Sequence, residues 1–281
     1  MGNNLILKRF FSKAVLHDLL SGNEEGIFDC VVRRYIVEPK GKPYERLISE
    51  IYSYMDKEYR TEYYYKNTML NKLLLKKHNY KKTIVLTELP IGNSKADFIM
   101  INGKGTVYEI KTELDNLDRI NSQIEDYYKA FSEVVIVTYR NNIEKVLETV
   151  PETVGIMELT KRRALRTIRE SKEVYGKLDY YTIFKILRKH EFEYILTTQG
   201  YDLPKVSQFQ YYSGCFNLIQ KIDICELQKL MLKELKKRMR IETVEFSIDV
   251  PEELRFLIYF DDTIFDYKDS FFTTLNRIYG G

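Results

Sequence analysis

The sequence predicts an α/β fold, a mixed sheet flanked by helices, with helical additions at both ends. Three observations lead there. Apolar residues recur at helical spacing before and after residues 83–138, and short β-rich runs broken by turn residues fill much of that stretch. The run Val134-Val135-Ile136-Val137-Thr138 is almost wholly apolar, as expected of a strand covered on both faces.

Residues 1–36 read as short helices, with Leu16, Leu19 and Leu20 on an apolar side and Ser21-Gly22-Asn23 as a stop. Pro39-Lys40-Gly41-Lys42-Pro43 reads as a turn or linker. Leu47, Ile48, Ile51 and Tyr52 predict a helix over 44–54, and Met69, Leu70, Leu73 and Leu74 predict another over 59–77. The rhythm then changes. Thr83–Thr87 is β-rich and ends at Pro90-Ile91-Gly92-Asn93, which is turn chemistry. Ala96–Ile101 and Thr106–Lys111 read as two further strands joined by the hairpin signal Asn102-Gly103-Lys104-Gly105. Leu117, Ile120, Ile124, Tyr127 and Phe131 predict a helix, Val134–Thr138 a strand, and Val154–Leu159 a further strand. Beyond Leu159 the pattern predicts helices over 160–173, 180–196 and 223–240, followed by a mixed acidic tail. The linear division is therefore a helical extension over 1–58, a core over 59–159, and a mostly helical region over 160–281.

Bulk properties exclude several classes. At 281 residues with 44% hydrophobic and 30% charged residues, the chain is long enough for a sizeable core and ordinary for a folded protein. Cys30, Cys215 and Cys225 form no C-x-x-C pair, and only His17, His78 and His190 accompany them, so neither a zinc site nor a disulfide framework is expected. No apolar run has the length of a membrane span, and no secretory or myristoylation signal stands at the N-terminus, so no membrane partner and a cytoplasmic location are expected. The net charge is +3, yet residues 151–240 hold 18 Lys/Arg against 11 Asp/Glu, which permits an anionic partner.

The chemistry sits on the third strand. Phosphodiester hydrolysis needs a hydroxide near neutral pH and relief of charge on the phosphorane. Carboxylates holding Mg²⁺ or Mn²⁺ supply both, and a lysine can orient or help deprotonate the attacking water. Strand alternation puts Glu109 and Lys111 on one face, with Tyr108 and Ile110 on the other. Whether Asp97 joins them depends on the hairpin. A two-residue Asn102-Gly103 turn would set Asp97 opposite Tyr108; a three-residue loop, Asn102-Gly103-Lys104, would set it opposite Glu109. An odd-numbered loop or a bulge is therefore expected.

Asp97 followed by Glu109-Ile110-Lys111 resembles the D…E-x-K signature of the PD-(D/E)XK nuclease superfamily, and Gln123-Ile124-Glu125-Asp126-Tyr127 resembles the Q-x-x-x-Y helix of its RecB-like and Mrr-like branches. The stretch from Asn67 to Thr138 resembles that superfamily's restriction-endonuclease-like αβββαβ core. Tyr65-Lys66-Asn67, Ser94–Asp97 and Val107–Asp115 are similar to an uncharacterised bacterial family within it. Lys95-Ala96 stands where the superfamily name has proline, a loosely kept position. The resemblance implies a metal-dependent nuclease acting on nucleic acid, DNA above all, within bacterial or phage genome conflict. It implies Mg²⁺ or Mn²⁺ held by Asp97, Glu109 and the Ile110 carbonyl, with Lys111 catalytic and Gln123 and Tyr127 supporting the site or touching DNA from the following helix. It admits a homodimer, because many members cut duplexes as dimers. The alternative it leaves is a nuclease fold that binds nucleic acid without cutting.

A third carboxylate is expected from Glu88 on the first strand, with Glu62 as a weaker candidate; Glu113 and Asp115 are expected to flank the next helix. As a plain strand residue, Glu88 would simply be paired or solvated. Lys161, Arg162, Arg163, Arg166 and Arg169 read as a helix on which Arg163, Arg166 and Arg169 share a face. Such a face is more often solvated than phosphate-binding. The Tyr- and Phe-rich C-terminal region also admits a protein partner.

Overall fold

Strand pairing organises the centre of the chain. The computed structural model describes all residues except 1–4, 24, 78–81, 240 and 281; His78 and Arg240 lie outside the described residues. From the N-terminus come α1 (Leu5–Phe10), α2 (Lys13–Leu20), α3 (Ile27–Tyr35), α4 (Tyr44–Glu58) and α5 (Glu62–Met69), and the chain continues in wide π-helical turns over Leu70–Lys77. Next come β1 (Ile84–Leu86), β2 (Leu89–Ile91), β3 (Ser94–Ala96), β4 (Phe98–Asn102), β5 (Lys104–Lys111), α6 (Ile120–Tyr128) and β6 (Glu133–Thr138). Then follow α7 (Ile143–Thr149), β7 (Gly155–Leu159), β8 (Leu165–Arg169), α8 (Tyr180–Ile186), α9 (Lys189–Thr198), α10 (Gln208–Ile219) and α11 (Ile224–Lys236). The chain ends in α12 (Ile241–Asp249), α13 (Arg255–Tyr259) and α14 (Lys268–Leu275).

These elements form two compact units, Met1–His78 with Arg240–Gly281, and Asn79–Met239. The linear three-part division followed composition, whereas compactness groups the helices of 180–236 with the sheet and the last helices with the first. In the first unit α14 packs on α2 and α4, and α13 packs on α5. His17 Nε2 meets Asp261 Oδ2 at 2.5 Å, and Phe256 N donates to Asn67 Oδ1. The region expected as an acidic tail is thus helical, its Phe256, Leu257, Phe271 and Leu275 being buried. α5, expected to open the sheet core, is a member of this first unit.

The second unit is mixed α/β. Its six-stranded sheet has the order β1-β4-β5-β6-β7-β8, with β5, β6 and β7 parallel and the remaining neighbours antiparallel. β6 lies between parallel neighbours and all six of its residues are buried, as its apolar run requires. Ile99, Val107, Ile124, Phe131, Ile136 and Ile156 join Phe192, Leu227, Met231 and Leu235 of the later helices in one core. Each such side chain contributes about 1.5–3 kcal/mol by leaving water.

One local expectation is corrected and one turn is borne out. The stretch over 160–173 is not a helix, because Leu165–Arg169 forms β8 and pairs antiparallel with β7. Thr160 closes the intervening turn: Thr160 N donates to the Ala164 carbonyl, and Ala164 N donates to Thr160 Oγ1. Sheet pairing there overrides a weak helical pattern. The turn residues Pro90–Asn93 belong to a small hairpin, β2 against β3, whose bend at Gly92 has φ +59°. A Cβ on Gly92 would lie 2.6 Å from Asp126 Oδ1, so the hairpin seats on α6 only through a glycine.

Candidate active site

The β4–β5 hairpin fixes which face Asp97 takes. Asn102 pairs with Lys104 across the single residue Gly103, whose φ of +76° makes so tight a reversal possible. Phe98 pairs with Tyr108, and one further step along this register sets Asp97 opposite Glu109. The odd-numbered loop is present. Asp97 itself follows β3 and precedes β4, and hydrogen bonds to its backbone and its side chain help hold it there. Thr87 Oγ1 donates to its carbonyl at 2.7 Å, and Ile110 N donates to its Oδ2 at 2.9 Å. A strand residue directs its N–H and C=O to the same side, so the Ile110 carbonyl also leaves β5 toward Asp97.

Glu109 is the centre of a buried network. It is 2% exposed and Lys111 is 8% exposed. Lys111 Nζ donates to Glu109 Oε1 at 2.9 Å and to Gln123 Oε1 at 2.9 Å. Gln123 Nε2 donates to the same Glu109 oxygen at 2.6 Å. Tyr127 OH reaches the other oxygen, Oε2, at 2.5 Å, with the Lys95 carbonyl as a second acceptor at 3.1 Å. Gln123 and Tyr127 lie one turn apart on α6, whose Ile120 and Ile124 hold it to the core. Taking an ion pair out of water costs several kcal/mol per charge, so such a pair persists only where further donors satisfy the carboxylate. Gln123 and Tyr127 are those donors.

The Tyr127 hydroxyl stays a donor. Burial first, then the charge and hydrogen bond of Glu109 and the charge of Asp97, push its pKa well above the ordinary phenol value. Behind Lys111, Thr138 Oγ1 donates to the Lys111 carbonyl at 2.8 Å and accepts from Asn142 Nδ2 at 3.1 Å. These bonds tie the end of β5 to β6.

Glu88 is placed differently from the expectation. It lies just after β1, exposed, in the left-handed region at φ 56°. Its carboxylate pairs with the Lys95 ammonium and lies within 4.8 Å of the Asp97 carboxylate. A non-glycine residue in that region costs of the order of 1 kcal/mol, which local structure must supply. Glu62 begins α5 in the other unit and pairs with Lys66 at 2.5 Å. Asp115 accepts from Thr112 N and Oγ1 and closes the turn after β5.

Asp126 escaped the sequence reading. From α6 it accepts from Ser94 Oγ at 2.7 Å, Asn93 N at 3.1 Å and Lys129 Nζ at 2.7 Å, fastening the β2–β3 hairpin beside Asp97. Burial raises its carboxyl, but the bonds from Lys129 and Ser94 outweigh that and hold it below the usual value. An acid beside Tyr127 on the buried side of a helix was the available signal.

Of the residues expected at the site, Asp97, Glu109, Ile110, Lys111, Gln123 and Tyr127 are linked by direct bonds within the second unit. Among the described residues no helix is long and apolar enough to cross a membrane.

Comparison with known proteins gives a phage family. A family model described as bacteriophage P4 protein cII matches residues 55–250. Protein cII of Enterobacteria phage P4 is 21% identical over 179 residues, 62% of this chain and 66% of that protein. The chain thus covers just under two thirds of that relative's length. Among solved structures, the SPO1766 protein of unknown function from Silicibacter pomeroyi is 13% identical with a TM-score of 0.29. That match covers 43% of this chain and 82% of the other.

Proposed function

We propose a metal-dependent nuclease activity for this chain, which belongs to the bacteriophage P4 protein cII family. The reading is that of the PD-(D/E)XK resemblance, and the sheet unit is its nuclease core. One observation carries it: Lys111, Gln123 and Tyr127 converge on the buried Glu109 carboxylate, while Asp97 docks on the neighbouring Ile110 N–H. The matched span 55–250 contains all of these residues.

The donor set suits a hard divalent cation, because the carboxylates of Asp97 and Glu109 and the Ile110 carbonyl are all oxygen ligands. The Lys111 ammonium at 2.9 Å shows that Glu109 already accommodates positive charge. Glu88 is a further carboxylate of the same unit within reach of Asp97. A bound Mg²⁺ or Mn²⁺ would acidify water and offset charge on the phosphorane. Lys111 then orients the attacking water and neutralises developing charge. Gln123 and Tyr127 fix the direction of the Glu109 carboxylate, the outer-shell role that tunes a ligand. The substrate is nucleic acid, DNA by the resemblance. The phage origin of the relative supports a setting in bacterial or phage genome conflict.

A second reading has its own observation. Both Glu109 oxygens already carry hydrogen bonds from side chains, a satisfied network that suits a module binding nucleic acid without cutting. One experiment separates the two. Purified chain is incubated with plasmid DNA and Mg²⁺ or Mn²⁺, beside Asp97→Ala and Lys111→Ala. Cutting lost in both variants supports the nuclease. Equal cutting by all three marks a contaminant, and metal-independent binding without cleavage supports the second reading.

A further inference from the structure

The basic run that was expected as a helix occupies a telling place. Lys111, Thr138 and Glu158 are in register across the parallel strands β5, β6 and β7, so these strands end on one edge of the sheet. In parallel α/β sheets, ligands bind beyond the carboxyl ends of the strands. Arg140, exposed, leaves β6 at that edge. Lys161, Arg162 and Arg163 leave β7 at the same edge, in the tight turn to β8, with Lys161 and Arg162 exposed. With neighbouring strands about 4.8 Å apart, Glu158 on β7 stands about 10 Å from Lys111, and the turn begins three residues later. Arg166 pairs with Glu158 and anchors the base of the hairpin. Arg163 is held at φ 60°, an unfavourable conformation for a long side chain, and Arg163 N donates to the Thr160 carbonyl. The loop after β5 instead carries the exposed acids Glu113, Asp115 and Asp118 beside the single exposed cation Arg119, so it is net acidic where the β7–β8 turn is basic.

We propose that the β7–β8 turn, Lys161-Arg162-Arg163 with Arg140, binds the phosphodiester backbone of the nucleic acid whose scissile bond lies at Glu109 and Lys111. The turn is a binding element, not part of the bond-breaking machinery. The proposal rests on the nuclease reading for its substrate, and its test keeps the two apart. A fluorescent duplex and the matching single strand of DNA are titrated in EDTA, by anisotropy, over a range of salt. The triple variant Lys161→Ala, Arg162→Ala, Arg163→Gly removes the charge and relieves the left-handed residue; Arg162→Glu alone is the second probe.

Each lost phosphate contact lowers the salt slope by about 0.9 on duplex or 0.7 on single strand. With three cations removed, the triple variant should therefore lose up to about 2.7 units of slope on duplex or about 2.1 on single strand, and at least about tenfold in affinity at moderate salt. The DNA form with the larger loss is the natural ligand. In cleavage assays KM should rise with kcat unchanged, whereas Lys111→Ala should lose kcat and keep affinity. Wild-type affinity and slope in both variants would overturn the proposal and leave the nuclease reading standing. Turn-dependent binding without cleavage under any metal would support the proposal while the nuclease reading falls. No DNA binding by the wild-type chain overturns the proposal, and only a further absence of cleavage with Mg²⁺ or Mn²⁺ overturns the nuclease reading as well.

Discussion

Lys111→Met tests the energetics of the network, because methionine keeps the stem and deletes the ammonium. Lys111 is 8% exposed and Glu109 2%, so the glutamate is left buried with the bonds from Gln123 at 2.6 Å and Tyr127 at 2.5 Å. Removing one member of a buried pair costs about 3–5 kcal/mol when the other stays charged. With two donors retained, the expected loss is about 2–3 kcal/mol at pH 7. The assay is urea unfolding at pH 7 in EDTA, followed by far-UV circular dichroism because the chain has no tryptophan. Adding Glu109→Gln should recover most of the loss at pH 7. A loss below about 0.5 kcal/mol would refute the reasoning, since it is incompatible with a carboxylate left uncompensated.

Four further outcomes are expected. Asp97→Asn keeps an oxygen for the Ile110 N–H, so the fold should survive by circular dichroism while cleavage falls by at least about 100-fold, as it should for wild type in EDTA. Tyr127→Phe removes the donor to Glu109 Oε2 and should weaken Mn²⁺ binding about 10- to 100-fold by calorimetry; unchanged affinity would count against its supporting role. Asp126→Asn should cost about 1–3 kcal/mol at neutral pH by losing charge-assisted bonds from Lys129 and Ser94. Because the Asp126 carboxyl is held below its usual value, its contribution is complete above an unfolded pKa of about 3.9 and disappears as pH falls through the folded one. Urea curves for wild type and Asp126→Asn should therefore converge in acid. Gly92→Ala meets both a left-handed φ and the Asp126 carboxylate, so it should destabilise by more than about 1 kcal/mol, and an unchanged unfolding midpoint would contradict the placement of the hairpin.

Sequence alone determined what short-range periodicity controls. Alternation put Glu109 and Lys111 on one face of a strand, i, i+4 spacing put Gln123 beside Tyr127, and the apolar run at 134–138 required a strand covered on both faces. These follow from backbone geometry over a few residues. The tertiary structure decided what depends on contacts between distant residues. A one-residue shift in the Gly103 turn would have moved Asp97 to the opposite face, and only the observed pairing of Phe98 with Tyr108 chose between the two. Pairing with β7 made 165–169 a strand and brought the basic turn to the edge where β5 ends, against a local pattern that suited a helix equally well. Packing against α2, α4 and α5 made helices of a tail that its charge had left unassigned, because burial of Phe256 and Phe271 needs a surface that the tail itself lacks.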